Sequence, residues 1–233
     1  MLVRLHSFTV RLAAGYNPGI VPLKRFFKQK PKKPDYDFLD LGCKKGSSIG
    51  WSHRKYGGRG LGVDMKQEWI DEATKAGYDA ICADVLTLDY PENSFRYVAM
   101  MDFLEHLPNE ETVMQVLKRC KKWSREFFFI HHPSFEDIDY LKSLGLKIDW
   151  TDGYDHNSPI TLDEFKEMFK KLGLRHYTIE PKLPIVDSTD KHILPLDAPH
   201  NTIFYNKSLG PKKKVTFDRP VYSRFEIVVP LDK

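Results

Sequence analysis

The chain has 233 residues, of which 41% are hydrophobic and 29% are charged, and its formal net charge is +4. A chain of this length can bury one sizeable core, so we expect a single domain with appendages. No run of about 18 apolar residues occurs, which argues against a membrane-spanning helix. The three cysteines, Cys43, Cys82 and Cys120, lack metal-ligand spacing and have apolar neighbours. These features indicate reduced thiols and therefore a cytoplasmic protein.

The first 33 residues are interpreted as a basic N-terminal arm. Residues 1–34 contain no acidic residue, and their basic residues are Arg4, Arg11, Lys24, Arg25, Lys28, Lys30, Lys32 and Lys33. Such an arm could bind nucleic acid or another anionic surface. Basic runs without a recognisable motif are more often solvated surface, and we favour that interpretation.

The predicted elements begin with residues 38–49, which read FLDLGCKKGSSI. This pattern predicts an apolar strand, a glycine turn and the start of a helix over residues 47–56. A strand feeding a tight turn leaves backbone N–H groups at the helix N-terminus, and glycine lets a ligand approach the backbone. Asp40 precedes Gly42, and its carboxylate would repel the phosphates that a dinucleotide-binding turn accepts. The turn therefore favours a cationic ligand.

Two more acidic residues follow predicted strands. Residues 60–63 read as a second strand that ends in Asp64, 18 residues after Gly46. In a dinucleotide-binding βαβ unit, the acid that binds the ribose follows the glycine motif by about 20 residues. Residues 78–85 read as a third strand that places Asp84 at its end. Each acid alone could form a turn or cap a helix. Three acids at one edge of a parallel sheet predict a ligand site there.

Further strands and helices alternate along the chain. Residues 97–101 and 127–130 read as the fourth and fifth strands, and Asn109 is expected to cap a helix. Residues 161–164 form a capping-box pattern that opens another helix, which Gly173 ends. Residues 175–180 and 202–206 read as two more strands, separated by the proline-rich stretch 181–199. The tail, residues 207–233, adds two short β patterns.

These motifs, in this order, resemble the class I S-adenosylmethionine-dependent methyltransferases, in particular small-molecule methyltransferases of type 11. That family's first motif is D-x-G-x-G-x-G, which Asp40, Gly42 and Gly46 match, whereas Lys44 replaces the middle glycine. The resemblance runs from Phe38 to about residue 174. It implies an α/β fold of the Rossmann-like methyltransferase kind, with a mostly parallel seven-stranded sheet flanked by helices.

The resemblance also implies a domain division and a cofactor. Residues 34–206 would form the S-adenosylmethionine-binding domain, with 202–206 among its last strands, and residues 207–233 would form a C-terminal β extension. Asp64 would accept the ribose hydroxyls, Asp84 would contact the adenine amino group and Val85 would pack on the ring. The full set of expected cofactor-binding residues is Asp40, Gly42, Cys43, Gly46, Asp64, Met65, Asp84, Val85 and Asp102.

Methyl transfer needs a base only when the acceptor atom carries a proton. The candidate bases are His156, His131 and His132, while His106 is interpreted as structural. Successive strand residues face opposite sides, so at most one of His131 and His132 can face the cleft. His156 lies in the turn-rich segment 150–159, where Trp150 and Tyr154 are expected to form an aromatic wall. Thr161 is expected only to cap the next helix.

The favoured function is methyl transfer to an oxygen or nitrogen of a small-molecule acceptor. The alternatives are an RNA or other nucleic-acid methyltransferase that uses the basic arm, and a non-catalytic S-adenosylmethionine-binding module. No N-P-P-Y motif is present, which argues against methylation of DNA-base or glutamine amino groups. The sequence shows no zinc motif, P-loop or Ser-His-Asp arrangement, so no metal site is predicted.

Overall fold

The computed structural model describes residues 35–151 and 155–231. Strands and helices alternate through most of these ranges. In chain order they are β1 (Phe38–Leu41), α1 (Ser47–Tyr56), β2 (Gly60–Asp64), α2 (Gln67–Lys75), β3 (Ala80–Cys82), β4 (Phe95–Met101), α3 (Glu110–Trp123), β5 (Ser124–Pro133), α4 (Ile138–Ser143), β6 (Leu146–Ile148), α5 (Leu162–Lys171), β7 (Thr178–Asp187), β8 (Ile193–Pro195) and β9 (Thr216–Pro230).

The central sheet has seven strands in the order β3-β2-β1-β4-β5-β9-β7. The strands β1 to β5 pair in parallel, and β9 is antiparallel to both of its neighbours. The predicted Rossmann-like, mostly parallel seven-stranded sheet is therefore confirmed. All four residues of β1 are buried, as expected for a central strand covered on both faces.

The direction of strand order reverses at β1, which lies between β2 and β4. Open α/β sheets bind ligands at such a switch point, outside the carboxyl ends of the strands. The loops that follow β1, β2 and β4 therefore meet at one crevice. The acids predicted from the sequence lie on or next to these loops.

The last strands differ from the sequence prediction. Residues 202–206 do not form a strand, and β9 from the tail instead pairs with β5 from Phe127↔Pro230 to Pro133↔Arg224. Alternate residues of β9 are buried from Val221 to Val229, which is the pattern of a strand in a sheet. The tail is thus an internal strand of the sheet and not an extension outside it, so the division at residue 206 is corrected.

The strand predicted at residues 175–180 also differs, because β7 begins at Thr178 and continues through Pro181 and Pro184 to Asp187. Among the strands that the structure describes, β7 pairs only with β9. Proline lacks an N–H group and is tolerated on an edge strand, where one side of the backbone has no partner strand. Much of the proline-rich stretch is consequently strand and not a loop insertion.

A second, smaller apolar cluster surrounds the two-stranded antiparallel sheet of β6 and β8. Trp150 is buried in this cluster, and its Nε1–H donates to the carbonyl of Ser134 at 2.9 Å. The sequence prediction of Trp150 as an aromatic wall of the active site is therefore wrong, because the indole contributes to a core. Tyr154 lies outside the described residues, as does the arm of residues 1–33.

The capping box at the start of α5 is present as predicted. The Glu164 N–H donates to the Thr161 hydroxyl at 3.4 Å, and the Thr161 N–H donates to the Glu164 carboxylate at 2.7 Å. We expect Thr161→Ala to lower the free energy of unfolding by about 1 kcal/mol. Chemical denaturation measures this change, and cofactor affinity is expected to stay constant. An unchanged stability would mean that the box contributes nothing here.

Within the two described ranges, no helix combines the length and apolarity that crossing a membrane requires.

Candidate functional site

Backbone conformation and close packing both require glycine in the first turn of the site. Gly42 and Gly46 have φ angles of 72° and 92°, which L-residues with a side chain rarely adopt. A Cβ at Gly42 would lie 2.5 Å from the Phe103 ring, and one at Gly46 would overlap the Tyr78 ring. The sequence pattern was thus correctly interpreted as a tight turn. The turn also closely contacts the residues that follow β4.

Asp40 lies beneath this turn and is 0% exposed. Neither carboxylate oxygen has a hydrogen-bond partner of normal geometry among the described residues. Burial raises the pKa of Asp40 to about 7, against a smaller lowering by the Ser48 hydroxyl. A buried carboxyl group without a partner is costly when ionised. A nearby cation would therefore be attracted to it, as the sequence pattern suggested.

Asp64 holds two loops together at the end of β2. Its Oδ2 accepts the Lys44 N–H at 3.0 Å, and its Oδ1 accepts the Lys66 N–H at 3.0 Å. A carboxylate has about four lone-pair positions, so two remain available for a ligand. Lys44 itself has a left-handed φ of 46°. The loop keeps the glycine-like conformation even though lysine replaces the family's glycine.

A cavity of about 680 Å³ opens at the carboxyl edge of the sheet. Ligand pockets of about 300–1,000 Å³ are typical for small molecules and cofactors. The expected cofactor residues that line it are Gly42, Asp64, Met65, Asp84, Val85 and Asp102. The other three, Asp40, Cys43 and Gly46, do not line the cavity. Asp40, Cys43 and Gly46 are all buried.

One side of the cavity combines apolar surface with a carboxylate. Val85 is buried, whereas Met65 is 70% exposed and leaves a large apolar side chain at the cavity edge. Asp84 accepts the Leu86 N–H through Oδ1 at 2.8 Å. This wall is suited to a flat aromatic ring that carries a hydrogen-bond donor at its rim.

At the end of β4, Asp102 contacts two cationic or titratable groups. Its Oδ1 lies 3.4 Å from His131 Nδ1 and 3.3 Å from Arg224 Nε. Burial raises the pKa of Asp102, but His131, Arg224 and Lys44 outweigh that effect and lower it overall. Asp102 therefore presents a negative charge to the cavity at neutral pH. Arg224 was missed from the sequence because β9 was placed outside the domain.

The two adjacent histidines of β5 face opposite ways, as the strand alternation predicted. His131 lies beside Asp102, whereas His132 is 1% exposed and packs edge-on against Phe135 and Phe165. Burial lowers the pKa of His132 to about 3, so its ring is neutral. Neither histidine is among the residues that line the cavity. His132 is consequently a poor candidate for a base that contacts the acceptor.

His156 is half-buried near the cavity. Its Nδ1 lies 2.8 Å from the carbonyl oxygen of Trp150, and burial lowers its pKa to about 4. Its ring is 4.9 Å from that of His106, which does line the cavity. From the sequence, His106 was interpreted as structural, and a separation of 50 positions from His156 gave no sign that the two rings lie close together. Their roles in catalysis stay predictions.

Lys44 supplies a test of the first turn. Lys44 has a left-handed φ, and this conformation costs a residue with a side chain about 1–2 kcal/mol. Lys44→Gly removes that cost, but glycine loses more chain entropy on folding, which offsets about 0.5–1 kcal/mol of the gain. We expect the variant to bind S-adenosylhomocysteine at least as tightly as the parent. Calorimetric titration measures this affinity. Clearly weaker binding would show that the ammonium group contributes a favourable contact with the ligand.

Comparison with known proteins finds similarity to methyltransferases. A family model described as a methyltransferase domain matches residues 39–126, from β1 to the start of β5. Phosphoethanolamine N-methyltransferase 1 of Arabidopsis thaliana is 24% identical over 139 residues, covering 54% of this chain and 28% of that protein. Phosphoethanolamine N-methyltransferase of Plasmodium falciparum (isolate 3D7) is 26% identical over 110 residues, covering 45% of this chain and 41% of that protein. The chain thus spans less than half the length of these curated relatives.

A solved structure has the same fold over most of the chain. The S-adenosylmethionine-dependent methyltransferase from Archaeoglobus fulgidus superposes with a TM-score of 0.59 at 19% identity, covering 85% of this chain and 87% of that chain. At this identity the likeness establishes the fold, while the matching family model covers the strands that carry the motifs. Residues 39–126 therefore match a methyltransferase domain, and the chain has the fold of an S-adenosylmethionine-dependent methyltransferase.

Proposed function

We propose that the protein transfers a methyl group from S-adenosylmethionine to a nitrogen or oxygen atom of a small-molecule acceptor. The observation that carries this proposal is the cavity at the carboxyl edge of the sheet. Asp64, Asp84 and Asp102 surround it in the order of their strands.

The residues of the cavity fit the cofactor's chemistry. Two lone-pair positions of Asp64 are available for ribose hydroxyls, and Asp84 stands next to the apolar surface of Val85 and Met65. The buried Asp40 carboxyl group favours positive charge nearby, which the sulfonium cofactor carries. When bound, S-adenosylmethionine supplies an electrophilic methyl group, so the protein mainly positions the acceptor and excludes water.

The acceptor side of the cavity favours a small polar molecule. Asp102 and His106 line it, and the ionised Asp102 would attract a cationic amine. The two curated relatives are named phosphoethanolamine N-methyltransferases, which supports nitrogen as the acceptor atom. A protonated amine has no lone pair for attack. We propose that Asp102, which lines the cavity, and His131 beside it together take up the proton that such an acceptor must lose, a role supported by their 3.4 Å contact.

Methyl transfer assays on the full chain test the proposal. The chain is incubated with S-adenosylmethionine and a panel of small amines, phosphorylated amines and alcohols, and formation of S-adenosylhomocysteine is followed. A parallel reaction contains RNA at low and high salt. Turnover that requires a small-molecule acceptor supports the proposal. Transfer to RNA alone, falling steeply as salt rises, supports the nucleic-acid alternative. Cofactor binding without transfer to any acceptor supports the non-catalytic module.

We also propose a cytoplasmic location, which is supported by the three unpaired cysteines, Cys43, Cys82 and Cys120.

A further inference from the structure

Three potential metal ligands meet next to the cavity. Glu105 and His106 belong to a short 3-10 turn after β4, and His156 lies ahead of α5. One nitrogen or oxygen atom from each of these three side chains lies within 4.8 Å of the other two. The Ser158 N–H donates to the Glu105 carbonyl at 3.0 Å, and the Ser158 hydroxyl donates to the Leu107 carbonyl at 2.9 Å. These hydrogen bonds hold the two segments together independently of the cluster.

Both histidines of the cluster are oriented by backbone carbonyl groups. His106 Nδ1 lies 2.9 Å from the Asp155 oxygen, and His156 Nδ1 lies 2.8 Å from the Trp150 oxygen. In the neutral rings the proton thus sits on Nδ1, and Nε2 carries the lone pair. Histidines that bind metals usually donate their other ring N–H to a carbonyl or carboxylate in this way.

Glu105 is the unusual member of the cluster, because it is 1% exposed and its carboxylate has no hydrogen-bond partner in the described ranges. Its Oε1 lies 4.0 Å from His106 Nε2, and its Oε2 lies 3.8 Å from His132 Nε2. His132 Nδ1 lies 2.7 Å from the Pro133 carbonyl, so its Nε2 also presents a lone pair. A buried carboxylate facing nitrogen lone pairs is stable only with a proton or a cation between them.

We propose that Glu105, His106 and His156 bind a divalent transition-metal ion of the zinc class. Two imidazoles and one carboxylate form a ligand set used by catalytic zinc sites, which keep a further position open. Tetrahedral zinc with ligands at about 2.0–2.2 Å requires ligand atoms about 3.3 Å apart. The ligand atoms now lie within 4.8 Å of one another, so side-chain rotations must bring them about 1–2 Å closer to bind the ion.

The site would face the cavity, because His106 is one of the cavity-lining residues. An ion held there would polarise an acceptor oxygen or nitrogen in its open position, as Lewis-acid sites do. Metal binding itself does not depend on the proposed function and can be measured without turnover. No metal site was predicted from the sequence, because His156 lies 50 positions after His106 and the three ligands match no known metal-binding spacing.

Metal uptake by the full chain tests the proposal. The chain is stripped with chelator, dialysed against Zn²⁺ or Co²⁺, and freed of excess ion. Its metal content and the visible absorption of bound Co²⁺ are then measured. We expect one ion per chain, a thermal shift on addition of Zn²⁺, and no comparable response to Mg²⁺, which prefers oxygen ligands.

Single variants assign the ligands. Glu105→Gln, His106→Ala and His156→Ala should each weaken Zn²⁺ binding by at least about 100-fold, since even outer-shell changes cost 10- to 100-fold. His53→Ala is the matched control, because His53 Nδ1 also lies 2.7 Å from a backbone carbonyl, that of Gly58, but away from the cluster. Circular dichroism verifies folding, and His106→Asn or His156→Asn replaces an alanine variant that fails to fold, because asparagine keeps a donor for the backbone carbonyl.

A wild-type chain that retains neither Zn²⁺ nor Co²⁺ overturns the inference. Retention of full affinity in any folded variant of the three ligands overturns it as well. S-adenosylhomocysteine titration on the same samples separates this outcome from failure of the proposed function. Intact cofactor binding without metal rejects only the metal site, whereas bound metal without methyl transfer to any acceptor rejects only the proposed reaction.

Discussion

Replacing Asp40 by asparagine should reduce the pH dependence of the unfolding free energy of the ligand-free protein by about 4 kcal/mol. Burial raises the pKa of this carboxyl group from 3.8 to about 7. Each pKa unit corresponds to about 1.4 kcal/mol. Below pH 4 the group is protonated in both states, and its contribution to stability is fully present. That contribution is lost as the pH rises to about 7, because over this range the unfolded state releases the proton while the native state retains it.

Urea unfolding of the ligand-free protein at several pH values between 4 and 8 measures this effect. The amide that replaces the carboxyl group would itself be short of partners, so the absolute stability at pH 4 should fall by about 1–3 kcal/mol. The slope with pH is therefore the decisive quantity. Asp35→Asn is the control, because Asp35 is exposed and should leave the slope unchanged. Equal slopes in wild type and Asp40→Asn would mean that folding does not raise the pKa of this carboxyl group.

Local patterns predicted the first half of the fold well. The helix at residues 47–56 is where the sequence placed it, and the strands ending near Asp64 and Met101 are present. These elements follow from short apolar runs, glycine turns and caps, all of which involve neighbouring residues. The capping box at Thr161 is predictable for the same reason.

The last strands were predicted less well because their pairing is not local. The segment RFEIVV has the alternation of a strand, but nothing in that pattern identifies β5 and β7 as its neighbours. The sequence prediction used residues 202–206 as the seventh strand of the sheet, whereas the structure has β9 in the sheet instead. Arg224 was lost from the predicted site by the same error, although it contacts Asp102.

The candidate site was likewise predictable only where its residues depend on local sequence. Asp64 ends β2, and Asp84 and Val85 come shortly after β3, so their presence at the cavity could be predicted. Glu105, His106 and His156 come together only because the segment before α5 is hydrogen-bonded to the turn after β4. Such a cluster has no sequence spacing from which to predict it. Asp40 matches the motif and Cys43 lies within it, but both are buried and neither lines the cavity.

Asp64→Ala should weaken S-adenosylhomocysteine binding by about 1.5–3 kcal/mol, or roughly 10- to 150-fold, the range for hydrogen bonds to a charged acceptor. Calorimetric titration measures this loss. Asp71→Ala on the exposed face of α2 is the control and should leave the affinity unchanged. An unchanged affinity in Asp64→Ala would reject the assignment of Asp64 to the ribose.

The structure adds a second cause that the experiment must separate. Asp64 also accepts the N–H groups of Lys44 and Lys66, so alanine leaves both loops without this contact. Asp64→Asn retains one acceptor oxygen for a loop N–H and should lose less affinity than alanine. A 2′-deoxyribose analogue of the ligand distinguishes the two causes directly. If Asp64 binds the ribose hydroxyls, wild type should discriminate against the analogue and Asp64→Ala should not, whereas equal discrimination in both proteins would assign the loss to the loops alone.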